Sequence, residues 1–203
     1  PPVETLAMVQ VEASRLERFI ETILDISALD AGKIHFEVVP LDFMTELEDI
    51  LEEFSNSNLP GRLIVDVRDD LPPVLAESRA LRSVLFHLMD NVVKYAPAGE
   101  VNFKAERWED GVRVMIMDQG PGIPESEHER VFDIFHRLDS SDARETYGYG
   151  LGLSAARRFL QAMSGWIRIE NRLQDEGGTA VVLWLPAGEH QDSGSPCSLQ
   201  DEG

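Results

Sequence analysis

The chain has 203 residues, 43% of them apolar, a formal net charge of −19 at pH 7 and a single cysteine, Cys197. Its length and apolar fraction suffice for one buried core. The acidity argues against nucleic acid or anionic membrane as a partner, because both need a basic surface. The lone cysteine excludes a disulfide framework and favours a reducing, cytoplasmic compartment. No stretch approaches the ~20 apolar residues of a membrane span.

The first predicted element is a long helix from about Val3 to Ala31, followed by Gly32 at its C-terminal end. Its apolar residues recur at helical spacing. They include Leu6, Val9, Ala13, Leu16, Ile20 and Ile23. This pattern fits either an amphipathic helix that packs on its own domain or a member of a helical bundle.

After residue 33 the pattern changes to short strands and helices. Two hairpins are predicted, residues 101–108 with 112–118 and residues 166–172 with 179–185. The other predicted elements are strands over 36–40 and 62–68 and helices over 42–56, 78–95 and 153–164. Hairpins that alternate with helices predict an α+β sandwich with the sheet on one side and the helices on the other. The polar residues after Pro186 predict a disordered tail.

One face of the predicted helix over 78–95 is polar. At 100° per residue His87, Asn91 and Lys94 cluster there, with Asp90 beside them. Amide and carboxylate oxygens suit a hard cation such as Mg²⁺, and an ammonium suits a phosphate. Taken alone, however, the same residues fit a solvated helix face better.

An apolar run ends in Asp118 and is followed by Gly120 and Gly122. A carboxylate only accepts hydrogen bonds, so Asp118 could read the exocyclic amine of adenine. The glycines allow the backbone to turn beneath a flat ring. A strand that ends in an ordinary turn is the plain alternative.

Residues 148–153 form the glycine-rich string Gly-Tyr-Gly-Leu-Gly-Leu at the start of a predicted helix. Free N–H groups at such a helix start can bind an anion. The string is neither a Walker loop, since no Lys-Ser/Thr follows Gly152, nor a Rossmann fingerprint, since the polar residues 139–146 precede it instead of a strand. A hinge is an equally good interpretation of the string by itself. Phe132 and Phe135, three residues apart, would by default lie in the core.

In this order the strings around Asn91, Asp118, Phe132 and Gly150 resemble the nucleotide-binding boxes of sensor histidine kinases, the two-component branch of the GHKL ATPase superfamily. The resemblance covers roughly residues 3–186. It implies a Bergerat-type two-layer α/β sandwich preceded by a bundle-type helix. The implied domains are the second dimerisation helix at 1–33, an ATP-binding catalytic domain at 34–187 and a tail at 188–203.

The resemblance also implies roles for individual residues. Asp90 stands where the family has its proposed general base, Lys94 where it has a phosphate contact and Asn91 where it has a Mg²⁺ ligand. Arg137 stands where an arginine often reaches the terminal phosphate. The implied nucleotide-binding residues are Asn91, Lys94, Tyr95, Asp118, Gly120, Gly122, Ile123, Gly148, Gly150, Leu151, Gly152, Leu153 and Thr179. The chain departs from the family at His87, where the family usually has Asn.

The phenylalanines would anchor a lid over about 137–149, which we expect to be mobile because it has few apolar residues. The implied function is transfer of the γ-phosphoryl group of ATP, with Mg²⁺, to a histidine and then to a response regulator receiver domain. The parent would be a homodimer through its dimerisation helices. No histidine here matches the phosphoacceptor, which we expect upstream because the chain starts at Pro1 without Met.

Two alternatives stay open. The first is a nucleotide-binding pseudokinase or scaffold, which His87 in place of Asn favours. The second is another GHKL enzyme, either a DNA gyrase-type ATPase or an anti-sigma serine kinase, which the bundle-like first helix disfavours.

Overall fold

The computed structural model of the chain describes residues 2–33, 35–138, 149–171 and 177–188. The helices are α1 (Pro2–Asp30), α2 (Phe43–Glu53), α3 (Ser78–Tyr95) and α4 (Gly152–Ala162). The strands are β1 (Val39–Leu41), β2 (Leu63–Val67), β3 (Val74–Ala76), β4 (Val101–Trp108), β5 (Gly111–Met117), β6 (Trp166–Asn171) and β7 (Thr179–Pro186). Two 3-10 turns, Glu125–Glu127 and Arg130–Phe132, follow β5. The predicted tail beyond residue 188 lies outside the described residues.

The main sheet has five strands in the order β2-β4-β5-β7-β6. Its neighbours are antiparallel except for the parallel pair β2 and β4. Along β5, Val112, Val114 and Ile116 are buried in the core that the sheet shares with the helices, whereas Arg113 and Met115 lie on the opposite face. The predicted α+β fold with two layers is therefore confirmed.

Side-chain caps explain where α2 and α3 begin. The Asp42 carboxylate accepts the Thr45 N–H at 2.8 Å, and the Glu77 carboxylate accepts the N–H of Arg79 and of Ala80, the latter at 2.6 Å. Each cap satisfies N–H groups that a helix start leaves without partners. Helix α3 then buries one apolar side in the core, at Leu81, Val84, Leu85, Leu88, Met89 and Val92. Its opposite side is left to the polar residues of the site.

Three details differ from the sequence prediction. The strand predicted over 36–40 is confirmed only at residues 39 and 40, because Phe36 packs edge-on against Phe159 at 5.9 Å and only Val39–Leu41 pairs with β3. Strand β3 itself was not predicted. The buried face predicted for β2 is also wrong at Val65, which is 40% exposed because β2 is an edge strand.

Helix α1 is confirmed, and Gly32 ends it with a φ of +64°. On one side its C-terminal half packs on the domain, since Thr22 and Ile26 are buried. On the other side an apolar stripe stays exposed, at Leu16, Ile20 and Leu24. The packing of α1 on its own domain is therefore confirmed for its C-terminal half, and its membership of a helical bundle stays a prediction. No helix in the described ranges is long and apolar enough to cross a membrane.

Candidate functional site

The polar side of α3 brings three predicted site residues together. The Lys94 ammonium pairs with the Asp90 carboxylate, and the two side chains are only 23% and 25% exposed. Asn91 is adjacent, and among the described residues none hydrogen-bonds its side-chain amide. Tyr95 ends the helix and is 38% exposed. This half-buried arrangement differs from the fully solvated face that was the plain alternative.

Asp118 is nearly buried, with 9% of its surface exposed. Its Oδ1 accepts the Gly120 N–H at 2.8 Å and the Thr179 N–H at 3.2 Å. Its own N–H donates to the Thr179 carbonyl at 2.9 Å. The carboxylate is therefore held where the end of β5 meets the start of β7, and its position depends on both strands.

Glycines let three chain segments meet around Asp118. A Cβ on Gly120 would lie 2.9 Å from the Tyr95 carbonyl oxygen, at the end of α3. A Cβ on Gly178, which has a φ of +90°, would lie 2.0 Å from the Asp118 carbonyl oxygen. Gly122, with a φ of +78°, packs against the Gly178 carbonyl from the other side. The pair Gly178-Thr179 before β7 resembles a final box that closes the family's site, and both residues lie against Asp118.

The glycine-rich string is partly described. Gly148 and the lid segment 139–147 lie outside the described residues. Gly150 has a φ of +68°, its carbonyl accepts the Phe135 N–H at 3.0 Å, and a Cβ on it would lie 2.6 Å from the His136 carbonyl oxygen. Helix α4 begins directly afterwards, so its N-terminal N–H groups lie at the same end of the site as Gly150.

The two phenylalanines have different environments. Phe132 is buried beneath the Arg157 guanidinium, whose carbon lies 4.7 Å from the ring centre. Phe135 is 63% exposed and has a φ of +64°. The default prediction of a core position is therefore right for Phe132 and wrong for Phe135. Phe135 has a left-handed backbone conformation, which places its N–H at the Gly150 carbonyl while its ring lies in solvent.

Arg137 lies near Tyr95. Burial raises the pKa of the Tyr95 phenol above its ordinary value, and the Arg137 charge acts in the opposite direction. A nearby hydrogen bond joins His136 Nε2 to Glu127 Oε2 at 2.6 Å and fixes the residue just before Arg137. The hydrogen bond from His136 is the main cause that lowers the pKa of Glu127. Arg137 is thus on the same side of the molecule as the end of α3.

His87 is only partly exposed and its imidazole is enclosed by neighbouring residues, which corrects the expectation that it shares the accessible polar side of α3. A Cβ on Gly152 would lie 3.4 Å from His87 Nδ1, so the imidazole packs against the start of α4. Its Nε2 is shielded and has no hydrogen-bond partner in the described part of the chain. Burial lowers the pKa of His87 from 6.5 to about 4, with Asp90 opposing and Lys94 adding to the effect. The imidazole is therefore neutral at pH 7.

This lowered pKa predicts a pH dependence of stability. Below about pH 6.5 the unfolded chain binds a proton at position 87 and the folded chain does not, so folding loses up to about 3 kcal/mol as the pH falls to about 4. Above about pH 6.5 the group contributes nothing. Urea unfolding at about pH 7 and pH 4.5 should show a loss that is roughly 2 kcal/mol smaller in His87→Asn than in the wild type. Equal losses in both proteins would contradict this assignment.

Residues 76–189 match the family described as histidine kinase-, DNA gyrase B-, and HSP90-like ATPase. The match covers more than half of the chain and contains α3, the Asp118 turn and the start of α4. The chain therefore belongs to this ATPase family.

Its relatives narrow the class further. Adaptive-response sensory kinase SasA of Synechocystis sp. is 37% identical over 177 residues, which make up 84% of this chain and 45% of SasA. Hybrid signal transduction protein dokA of Dictyostelium discoideum is 34% identical over 176 residues, 82% of this chain and 10% of dokA. The crystal structure of full-length ShkA in complex with AMPPNP has a TM-score of 0.71 at 26% identity, covering 86% of this chain and 36% of ShkA.

Within the family the chain is thus an ATP-binding catalytic domain of the sensor histidine kinase type. It spans less than half the length of SasA and about a tenth of dokA.

Proposed function

We propose that the chain binds Mg·ATP and transfers its γ-phosphoryl group to a histidine of a dimerisation domain, from which a response regulator receiver domain takes it. One observation supports this most. Gly120 of the Asp118 turn lies against the Tyr95 carbonyl at the end of α3, and Gly152 at the start of α4 lies against His87 on the same helix. The Asp118 turn and the start of α4 therefore both adjoin the half of α3 that carries the Asp90–Asn91–Lys94 group. A site for a purine, a charged phosphate chain and a cation needs these three parts together.

The adenine end of the proposed site is Asp118. Its carboxylate would accept a hydrogen bond from the exocyclic amine of adenine, whereas guanine presents a carbonyl oxygen there and would be repelled. The backbone of Gly120, Gly122 and Ile123 would line the adenine ring. Gly120 has no room for a side chain, because a Cβ there would collide with the Tyr95 carbonyl. Thr179 would close the site through its hydrogen bond to Asp118.

The phosphate end would be the start of α4. The N–H groups of Gly150, Leu151, Gly152 and Leu153 precede or open this helix, where the helix dipole favours an anion. Lys94 would contact a phosphate oxygen, and Gly148 and Arg137 are assigned to the same end by family resemblance. These groups would supply the local positive potential that a protein of charge −19 needs to bind ATP.

The residues fit a magnesium ion. The Asn91 amide is without a hydrogen-bond partner among the described residues, and amide oxygen is a ligand that Mg²⁺ accepts. The described ranges contain no group of three or more His, Cys, Asp or Glu that could hold a metal. Asn91 would therefore share the ion with phosphate oxygens and water, as Mg²⁺ commonly does. When bound, Mg²⁺ neutralises charge on the β- and γ-phosphates.

The proposed reaction is an in-line displacement at the γ-phosphorus. A nitrogen of the acceptor imidazole forms the new bond, the bond to the ADP oxygen breaks, and Asp90 takes the proton that the imidazole releases. Lys94 orients the Asp90 carboxylate through their ion pair. The protein contributes chiefly position and charge.

Helix α1 supports the proposed place of this domain in a dimeric, cytoplasmic kinase. Its exposed stripe at Leu16, Ile20 and Leu24 suits a neighbouring helix of a bundle. We accordingly assign residues 1–33 to the second dimerisation helix, 34–187 to the catalytic domain and 188–203 to a tail.

The test is phosphorylation in trans. With radiolabelled ATP, Mg²⁺ and a separately purified dimerisation domain, this chain should place an acid-labile label on that domain and none on itself. Asn91→Ala should reduce labelling by about 100-fold, since it removes a ligand of the charge-neutralising ion. Gln161→Ala, which removes an exposed amide at the end of α4 opposite the site, is the matched control and should label normally.

Two outcomes would favour the alternatives. Tight ADP binding with no transfer, repaired by His87→Asn, would indicate a pseudokinase. Release of inorganic phosphate at the same rate with and without the acceptor domain would indicate a gyrase-type ATPase.

A further inference from the structure

All three tryptophans of the chain lie on the side of the main sheet that faces away from the helices, which we call the open sheet face. Trp166 and Trp184 are register partners on β6 and β7, with ring centres 6.4 Å apart and planes 12° from parallel. Trp108 meets Trp166 edge-on at 6.0 Å, and its carbonyl accepts the Trp184 indole N–H at 3.3 Å. A Cβ on Gly111 would lie 2.4 Å from that indole nitrogen, so this glycine makes room for the cluster.

The rows beside the tryptophans on this face are also apolar. Met115 and Met117 on β5 are partly exposed, whereas their register partners on β7, Val182 and Ala180, are buried at 1% and 7% exposure. None of these four side chains belongs to the core cluster on the other side of the sheet, so the methionines and tryptophans supply the accessible apolar surface. Tryptophan, methionine and arginine are the residue types that concentrate at the centres of protein–protein interfaces.

The open sheet face differs in net charge from the rest of the molecule. Its three cations each pair with an acid of the same face: Arg113 with Glu106, Arg168 with Glu170 at 2.6 Å, and Lys104 with Asp66 at 3.7 Å. Arg168 and Arg113 also cover tryptophan rings, of Trp166 at 4.5 Å and Trp108 at 5.4 Å. The open sheet face is thus neutral, and the remaining residues carry the whole net charge of −19.

We propose that the open sheet face binds the open sheet face of a second copy of this chain, sheet on sheet. A cationic partner would be drawn to the acidic remainder of the surface, and an anionic partner would find the three cations already paired. Two copies of the chain repel each other everywhere except where their surfaces are neutral. The contact is isologous, since each copy presents the same residues to the other.

The area of the face indicates a weak dimer. Five strands spaced about 4.8 Å apart, with some seven residues of about 3.4 Å each, cover roughly 600 Å² per copy. Specific interfaces bury about 800 Å² per partner, so this contact lies near their lower limit. In a parent that is already joined through α1, the high local concentration of two tethered domains would favour it.

Sedimentation equilibrium tests the proposal on the full chain. Leu16→Glu with Leu24→Glu, both exposed on α1, first removes association through that helix. In this background we expect a dimer with a dissociation constant of about 100 μM, because the interface is small. Arg168→Glu should raise that constant at least tenfold by charging the face. Arg107→Glu, the same charge change on β4, is the control, because Arg107 is exposed on the other side of the sheet in register with the buried Val112.

A chain that stays monomeric at about 1 mM overturns the proposal, and so does an equal effect of Arg168→Glu and Arg107→Glu. Thermal melting of each variant verifies its fold. ADP titration of the same samples distinguishes loss of the dimer contact from loss of nucleotide binding. Arg168 lies outside the nucleotide site, so its substitution should leave ADP affinity unchanged.

Discussion

Gly178→Ala is expected to abolish ADP binding, whereas Gly177→Ala should retain it. At position 178 the new Cβ would lie 2.0 Å from the Asp118 carbonyl oxygen, so either Asp118 or the start of β7 must move. At position 177 a Cβ meets nothing within 4 Å. Both glycines have positive φ values, +90° and +62°, so both variants carry a similar backbone cost of roughly 1–2 kcal/mol. The difference between them therefore isolates the displacement of Asp118.

Isothermal titration with ADP, alongside thermal melting, measures this difference. We expect affinity to fall at least about 100-fold in Gly178→Ala, equivalent to about 2.7 kcal/mol, and about twofold or less in Gly177→Ala. Similar melting temperatures would show that the two variants are equally stable, so that a difference in ADP affinity does not come from unfolding. Equal ADP affinities would mean that the position of Asp118 does not control nucleotide binding.

The sequence predicted those elements whose signals are local. Helix α3 was predicted with the bounds that it has, since Pro72-Pro73 breaks the chain ahead of it and apolar residues recur along one side up to its end at Tyr95. The β4–β5 hairpin was predicted from alternation around a short turn. Strand β3 was missed because three residues after Pro72-Pro73 carry no periodicity, and its pairing with β1 depends on residues more than thirty positions away.

The same distinction applies to the site. Asp90, Asn91 and Lys94 share a helix side by simple geometry, so their grouping was readable from spacing. The environments of His87 and Phe135 were not readable, because each depends on a partner elsewhere in the chain. The His87 imidazole packs against the start of α4, and Phe135 turns outward where its backbone meets Gly150. Tertiary packing decided these positions against a local pattern that favoured the opposite.

Asp118→Asn is expected to remove the preference for adenine without disturbing the fold. The amide has the same size as the carboxylate, and its oxygen can still accept the N–H groups of Gly120 and Thr179. Its NH₂ group, however, donates where the carboxylate accepted, so it opposes the amine of adenine and suits the carbonyl of guanine. The loss of a charged hydrogen bond and the unmatched donor should together weaken ADP binding by about 100-fold. GDP binding should be unchanged or stronger.

Calorimetric titrations of the wild type and Asp118→Asn with ADP and with GDP measure the four affinities. The informative quantity is the ratio of ADP to GDP affinity, since a general loss of folding lowers both affinities and leaves the ratio unchanged. Asp133→Asn, an exposed acid outside the Asp118 turn, controls for the loss of one negative charge near an anionic ligand. If the wild type binds ADP and GDP equally, or if Asp118→Asn keeps the wild-type ratio, Asp118 does not read the base. The nucleotide would then be recognised through its phosphates alone, at the start of α4.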